Sequence, residues 1–256
     1  MRALHTEMPN ESFVYVGDSG HAPYGERDDG HIITRAIAIT DYLIKQHDVK
    51  ALVVACNTAT AAAIGLLRER FEHLPIIGIE PALKPASIAS ITQKVGVLAT
   101  AGTIGSEKFK TLLNSLAGST EFVVQSCPGL ATAIENNDIV KTGLLCNKYV
   151  AALGTFGNAE GEIDSLVLGC THYPFATAAI QRATGPNVQF FDGGVSVAAH
   201  TRRVLEKLGQ LETTGTTELH EVKPIKYMST GKATLLQSAV LRWFGHDVTV
   251  TDLLQV

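Results

Sequence analysis

Two of the chain's four cysteines stand in matching frames. "ALVVACNTATAAAI" and "SLVLGCTHYPFATAAI" each run from an apolar stretch through one small residue to a cysteine, a polar pair and an alanine-rich stretch. The two thiols are Cys56 and Cys170, and His172 lies just beyond the second. A cysteine at a strand-to-helix turn meets unpaired backbone N–H groups and the positive end of the helix dipole. That setting favours the thiolate and suits a substrate carboxylate. Asn57, Thr58 and Thr171 are of types that cap helices or present N–H groups, and Pro174 suits a first helical turn. Two such thiols facing one cleft can serve a single carbon. One removes a proton, the other delivers a proton to the opposite face, and a stereocentre is inverted. Beside Cys170, His172 reads as an acid/base or charge partner; by itself it would read as a core or capping histidine.

Other chemistries fit less well. Cys127 and Cys146 lack such a frame and read as small buried hydrophobes. A zinc site built on Cys56, Cys170 and His172 lacks the fourth ligand and the close pairs of a structural site, so no metal is expected. A redox pair would want Cys-x-x-Cys. No glycine-rich dinucleotide motif or P-loop is present, which agrees with chemistry that needs no cofactor.

The elements that must position these residues alternate along the chain. "FVYVGDS", "ALVVACN", "PIIGIE", "KVGVLAT", "FVVQSC", "SLVLGC" and "VQFFDGG" read as strands. Between them run helical patterns. In "HIITRAIAITDYLIKQH", Ile33, Ile37, Tyr42 and Ile44 share a face, with Arg35, Asp41 and Lys45 elsewhere. "TAAAIGLLRERFEH" is a second helix, and "MRALHTEMPN" reads as the last turns of a helix followed by a loop. The alternation predicts an α/β fold with mostly parallel sheets, and the continuous apolar runs predict burial of both faces. In such sheets ligands bind at the carboxyl ends of the strands, where both cysteines fall.

"IEPALKPASIAS" is where the chain would cross to a second lobe, and "NVQFFDGGVSVAAH" where it would return. The division is residues 1–80 plus 189–256 for the first lobe and 81–188 for the second. "GQLETTGTTELHEV" reads as an exposed loop. The 256 residues are 45% hydrophobic and 18% charged, with a formal net charge of -4. That is a globular composition, with no electrostatic case for nucleic acid or an acidic membrane surface. No apolar run reaches the roughly 18 residues of a membrane span, and no secretory leader is legible. A cytoplasmic protein with free thiols is expected, and a homodimer is compatible with the sequence.

At these motifs the chain resembles the glutamate racemases of the aspartate/glutamate racemase superfamily. The likeness runs through "GDSGHAPYGER", "ALVVACNTAT", "IIGIEPALKPA", "VGVLAT", "SCPGLATAIE", "LVLGCTHYP" and "FFDGG". It implies two pseudo-symmetric α/β lobes with the active site in the cleft between them, and interconversion of L- and D-glutamate for peptidoglycan synthesis. Carried over, Cys56 and Cys170 are the proton donors and acceptors, and His172 assists Cys170. Asn57, Thr58 and Thr171 contact the substrate, as do Tyr24 and Gly25, largely through backbone. Glu135 matches the family's acidic residue near Cys170 and His172; its alternative is a solvated helix residue. The family's opening strand and its "DSGVGG" turn, with an Asp and a Ser in the site, have no counterpart in this sequence. The chain is therefore expected to be poorly active and less stable than the family fold. A racemase of another acidic amino acid such as aspartate, a related isomerase or decarboxylase, and a catalytically inactive binder of acidic ligands are the rival readings.

Overall fold

A computed structural model describes residues 1–116, 118, 120–213, 225–253 and 256. All seven expected strands form: β1 (Phe13–Gly17), β2 (Leu52–Val54), β3 (Ile76–Gly78), β4 (Lys94–Ala99), β5 (Glu121–Ser126), β6 (Ser165–Gly169) and β7 (Gln189–Phe191). Two further strands follow, β8 (Ile225–Ser229) and β9 (Val250–Asp252). The helices are α1 (Arg2–Glu7), α2 (Asp29–His47), α3 (Asn57–Arg70), α4 (Leu83–Ala89), α5 (Ala101–Gly105), α6 (Glu107–Leu116), α7 (Leu130–Glu135), α8 (Ile139–Leu153), α9 (Thr177–Thr184), α10 (Gly194–Lys207) and α11 (Ala233–Phe244). Of the loop expected in "GQLETTGTTELHEV", all beyond residue 213 lies outside the described residues.

Every ladder is parallel, as helical crossovers require. The second lobe is built on one sheet in the order β5-β4-β6-β7. Its central strands are the most apolar and the most enclosed: β6 is buried throughout, and β4 from Val95 onward. α7, α8 and α9 cover one face through Leu130, Tyr149, Val150 and Ile180. α4 and α6 cover the other through Leu83, Ala86 and Phe109. The division at residue 189 needs correction: Gln189 pairs with Ser165, so β7 completes the second lobe's sheet and the chain returns only after Phe191.

The first lobe divides its strands between a sheet in the order β1-β8-β9 and the pair β2-β3. No ladder joins β1 to β2 among the described residues. Phe13 and Val53 nonetheless pack into one cluster with Leu4 and Met8 of the α1 segment and Ala198 and Leu205 of α10. β1 and β2 are only partly buried, against the two-sided burial expected from their apolar runs. Among the described residues each has one strand neighbour.

α2 differs from its expected orientation. Ile33 and Ile37 pack against α3 from the margin of the buried face, while Ile32, Arg35, Thr40 and Leu43 are the buried residues. A buried arginine needs a partner, and this one has a carboxylate.

Candidate active site

Residues just beyond β2, β4 and β6 come together: Cys56 feels the charge of Cys170, and Thr58 of α3 meets Thr100 beyond β4. Cys56 follows β2 and is itself the N-cap of α3, its Sγ accepting the Ala59 N–H at 3.5 Å. The expected caps, Asn57 and Thr58, instead occupy the first turn and are buried. The expectation of an acidified thiol fails at Cys56. Burial raises its pKa most, the hydrogen bond from Ala59 opposes, and negative charge on Cys170 raises it further, to about 11. A short-range N–H contact does not offset loss of water when no cation is adjacent.

Cys170 follows β6 and is 8% exposed. Its turn is built differently. The Tyr173 N–H bonds the Cys170 carbonyl at 3.0 Å, and a 3-10 turn, Tyr173–Ala176, with Pro174 in its opening positions, precedes α9. The extra turn places His172 back against the thiol, with Nδ1 3.9 Å from Sγ. His172 Nε2 lies 3.0 Å from Glu135 Oε2 at the end of α7. Burial lowers the His172 pKa, but the hydrogen bonds to Cys170 and Glu135 and their charges outweigh it and raise it to about 10. The imidazole is thus held as a cation at neutral pH. Glu135 is held below its ordinary range chiefly by that hydrogen bond. Thr171 sits half-buried between Cys170 and His172.

Tyr24 and Gly25 lie on a 3-10 turn, Tyr24–Glu26, near enough to Cys56 for Tyr24 to feel its charge. The Tyr24 hydroxyl donates to Asp18, so its side chain is committed to the protein. Gly25 packs closely on the second lobe: a Cβ there would come within 2.9 Å of Thr100.

Sequence reasoning missed Thr100, Thr103, Tyr15 and Asp18. Thr58 Oγ1 lies 2.8 Å from Thr100 Oγ1 and 3.3 Å from Thr103 Oγ1, a hydroxyl cluster that joins α3 to the start of α5 across the lobes. The signal existed, since Thr100 follows β4 as Cys56 follows β2. Tyr15, on β1, feels the charges of Glu135 and Cys56, although burial is the main cause raising its pKa to about 12. Asp18, beyond β1, carries a carboxylate that burial pushes up but that Arg35, Thr230 and Tyr24 together hold at about 2. Asn57, which the sequence did single out, has its Oδ1 buried with no hydrogen-bond partner among the described residues, and it lines a small cavity with Thr60 and Thr103.

The chain is thus an α/β protein of parallel sheets with a cysteine just beyond each of two strands, Cys56 after β2 and Cys170 after β6. The family model for Asp/Glu/Hydantoin racemase matches residues 2–202. The glutamate racemase of Ectopseudomonas mendocina is 42% identical over 252 residues, which cover 98% of this chain and 91% of that protein. The glutamate racemase of Ralstonia pickettii is 40% identical over 96% of this chain and 83% of its own length. Among solved structures, a glutamate racemase isoform from Bacillus anthracis superposes with a TM-score of 0.84 at 30% identity, covering 98% of this chain and 91% of that one. The chain belongs to the Asp/Glu/Hydantoin racemase family.

Proposed function

We propose that the chain interconverts L- and D-glutamate without a cofactor, with Cys56 and Cys170 acting from opposite faces of the α-carbon. The observation that carries this reading is the unequal pairing of the two thiols. Cys170 has a cationic imidazole beside it, whereas Cys56 has none and its pKa is pushed to about 11. In the turn that starts at Cys170, this residue acts as the base and Cys56 as the acid. The Cys170 thiolate takes the α-proton, and the Cys56 S–H protonates the other face of the carbanion. Cys170 is left as the thiol and Cys56 as the thiolate. The reverse turn starts from that state.

A thiol is far more acidic than the α-proton, so charge building on the substrate must be stabilised in a closed site. The positive end of the α3 dipole, at Cys56, suits the substrate carboxylate. The buried Asn57 Oδ1 suits its ammonium group, and Thr58 and Thr171 add hydroxyls. Glutamate itself is carried by the relatives' substrate, and with it the supply of D-glutamate to peptidoglycan in the cytoplasm.

The test is exchange of the glutamate α-hydrogen in deuterated water, followed by NMR. Exchange is expected with either enantiomer and is lost in Cys56→Ala and in Cys170→Ala. Full exchange retained by either variant overturns the two-thiol scheme. A rate on aspartate equal to that on glutamate overturns the substrate.

A further inference from the structure

Asp18 is a buried hub with donors from three other segments. Its carboxylate accepts from Arg35 Nε at 3.0 Å and Nη2 at 2.8 Å, from Thr230 Oγ1 at 2.6 Å and from the Tyr24 hydroxyl. Its side chain is 8% exposed and that of Arg35 is 11% exposed, so this is a desolvated pair with its remaining lone pairs filled. His21 approaches at 3.5 Å from the solvent side. The Asp18 carboxylate thereby ties α2, the end of β8 and the Tyr24 turn to one point in the first lobe.

The turn does not stop at that lobe. Gly25 lies against Thr100, and the Gly25 carbonyl also borders Gly102 in α5, where an added Cβ would meet Thr58 Cγ2 at 2.9 Å. One residue on, Glu26 Oε1 accepts the Gly129 N–H at 3.2 Å. Gly129 is the N-cap of α7, the helix that ends in Glu135. A segment anchored on the first lobe therefore meets the second at two places, Thr100 and Gly129.

We propose that residues 18–26 form an interlobe strap, with Asp18 and Glu26 as positioning residues that hold Gly25 and the cleft around Cys56 in their closed geometry. This rests on the racemase reading for its effect on turnover, but not for the strap itself. Asp18 acts through Tyr24 and need not touch substrate. A purely structural role in the first lobe would lower stability and leave the cleft alone. A strap predicts that its two ends act as one unit.

The test uses Tyr24→Phe, which removes one donor and leaves the Asp18–Arg35 pair, and Glu26→Ala, which changes an exposed side chain. Both are made singly and together in the full chain. The labelling rate of Cys56 by iodoacetamide, read by peptide mass spectrometry without substrate, is expected to rise about five- to tenfold in each variant, the scale of one lost hydrogen bond. The double variant is expected to exceed the larger single by less than about twofold. Where the chain racemises glutamate, KM rises by a similar factor while kcat stays within about threefold. Unchanged labelling in both single variants overturns the strap. So do effects that multiply in the double variant, or labelling that rises only in step with a fall in Tm. Absence of racemisation by the unaltered chain overturns the function proposed above and leaves the labelling result to stand alone.

Discussion

The Cys56 and Cys170 turns share a sequence frame and are unlike as structures. After Cys56 the helix begins at once, so the thiol is spent on capping it and accepts the Ala59 N–H. After Cys170, Pro174 and a 3-10 turn delay the helix, and the delay folds His172 back onto the sulfur. Near-repeats in sequence thus yield a capped, cation-free thiol and a thiol with a charged partner. Two equivalent thiols would compete for one proton with no preference. Unequal ones would bias which of the two starting states is populated before substrate binds, and the proposed scheme uses both states in alternation. The cost of burying charge decides the difference: it raises Cys56 to about 11, whereas at His172 the neighbouring groups overcome it.

The largest expected effects test whether both turns are needed. Cys56→Ala and Cys170→Ala should each lower racemisation by at least roughly 10²–10⁴-fold, the scale of one acid/base group. Polarimetry from both enantiomers reads this. A variant that retains activity within about tenfold would show that its turn is dispensable. Next in size is His172→Gln, which strikes one turn alone. It should lower turnover by roughly a hundredfold and slow iodoacetamide labelling of Cys170, with Cys56 as internal control. Equal slowing of both thiols would break the asymmetry.

The pH dependence sharpens the same contrast. His172 has its folded pKa raised from 6.5 to about 10, so its pairing stabilises the fold in full below about pH 6.5 and loses that contribution as pH rises through about 10. Activity should decline over the same alkaline limb, and His172→Gln should abolish that limb. Labelling of Cys56 should keep climbing toward its own pKa of about 11. A shared midpoint for the two events would mean that both thiols sense one group.

Much of this was legible before the structure. All seven apolar runs became strands because continuous Val, Ile, Leu and Phe runs between helical stretches have few other solutions in an all-parallel fold. The pairing of His172 with Cys170 followed from spacing, because a two-residue offset after a strand keeps both groups at the sheet's edge. What stayed hidden depended on partners distant in sequence. Arg35 was placed off the apolar face of α2, yet Asp18, 17 residues earlier, takes it inward. Thr100 and Thr103 met Thr58 only through the docking of the lobes. The capping role of Cys56 was missed because a thiol is a poor acceptor and Asn57 and Thr58 are better caps by type. Position, set by the end of β2, overrode type.

The smallest effect concerns Glu135, which distinguishes the Cys170 turn one step further out. Its carboxylate meets His172 at 3.0 Å, but the two side chains are 43% and 37% exposed, so water and salt screen the pair. Glu135→Gln keeps the shape and an acceptor oxygen while removing the charge. Turnover should fall only about three- to tenfold, and the His172 pKa should drop below its value of about 10 while staying above 6.5, since Cys170 still supports the cation. Because the Glu135 pKa is lowered from 4.5, its share of stability is present above that pH and is lost on acidification. Titration of His172 by NMR in both proteins measures the shift directly. An unmoved His172 midpoint would return Glu135 to the solvated face of its helix and leave Cys170 and His172 as the whole of what sets that turn apart from Cys56.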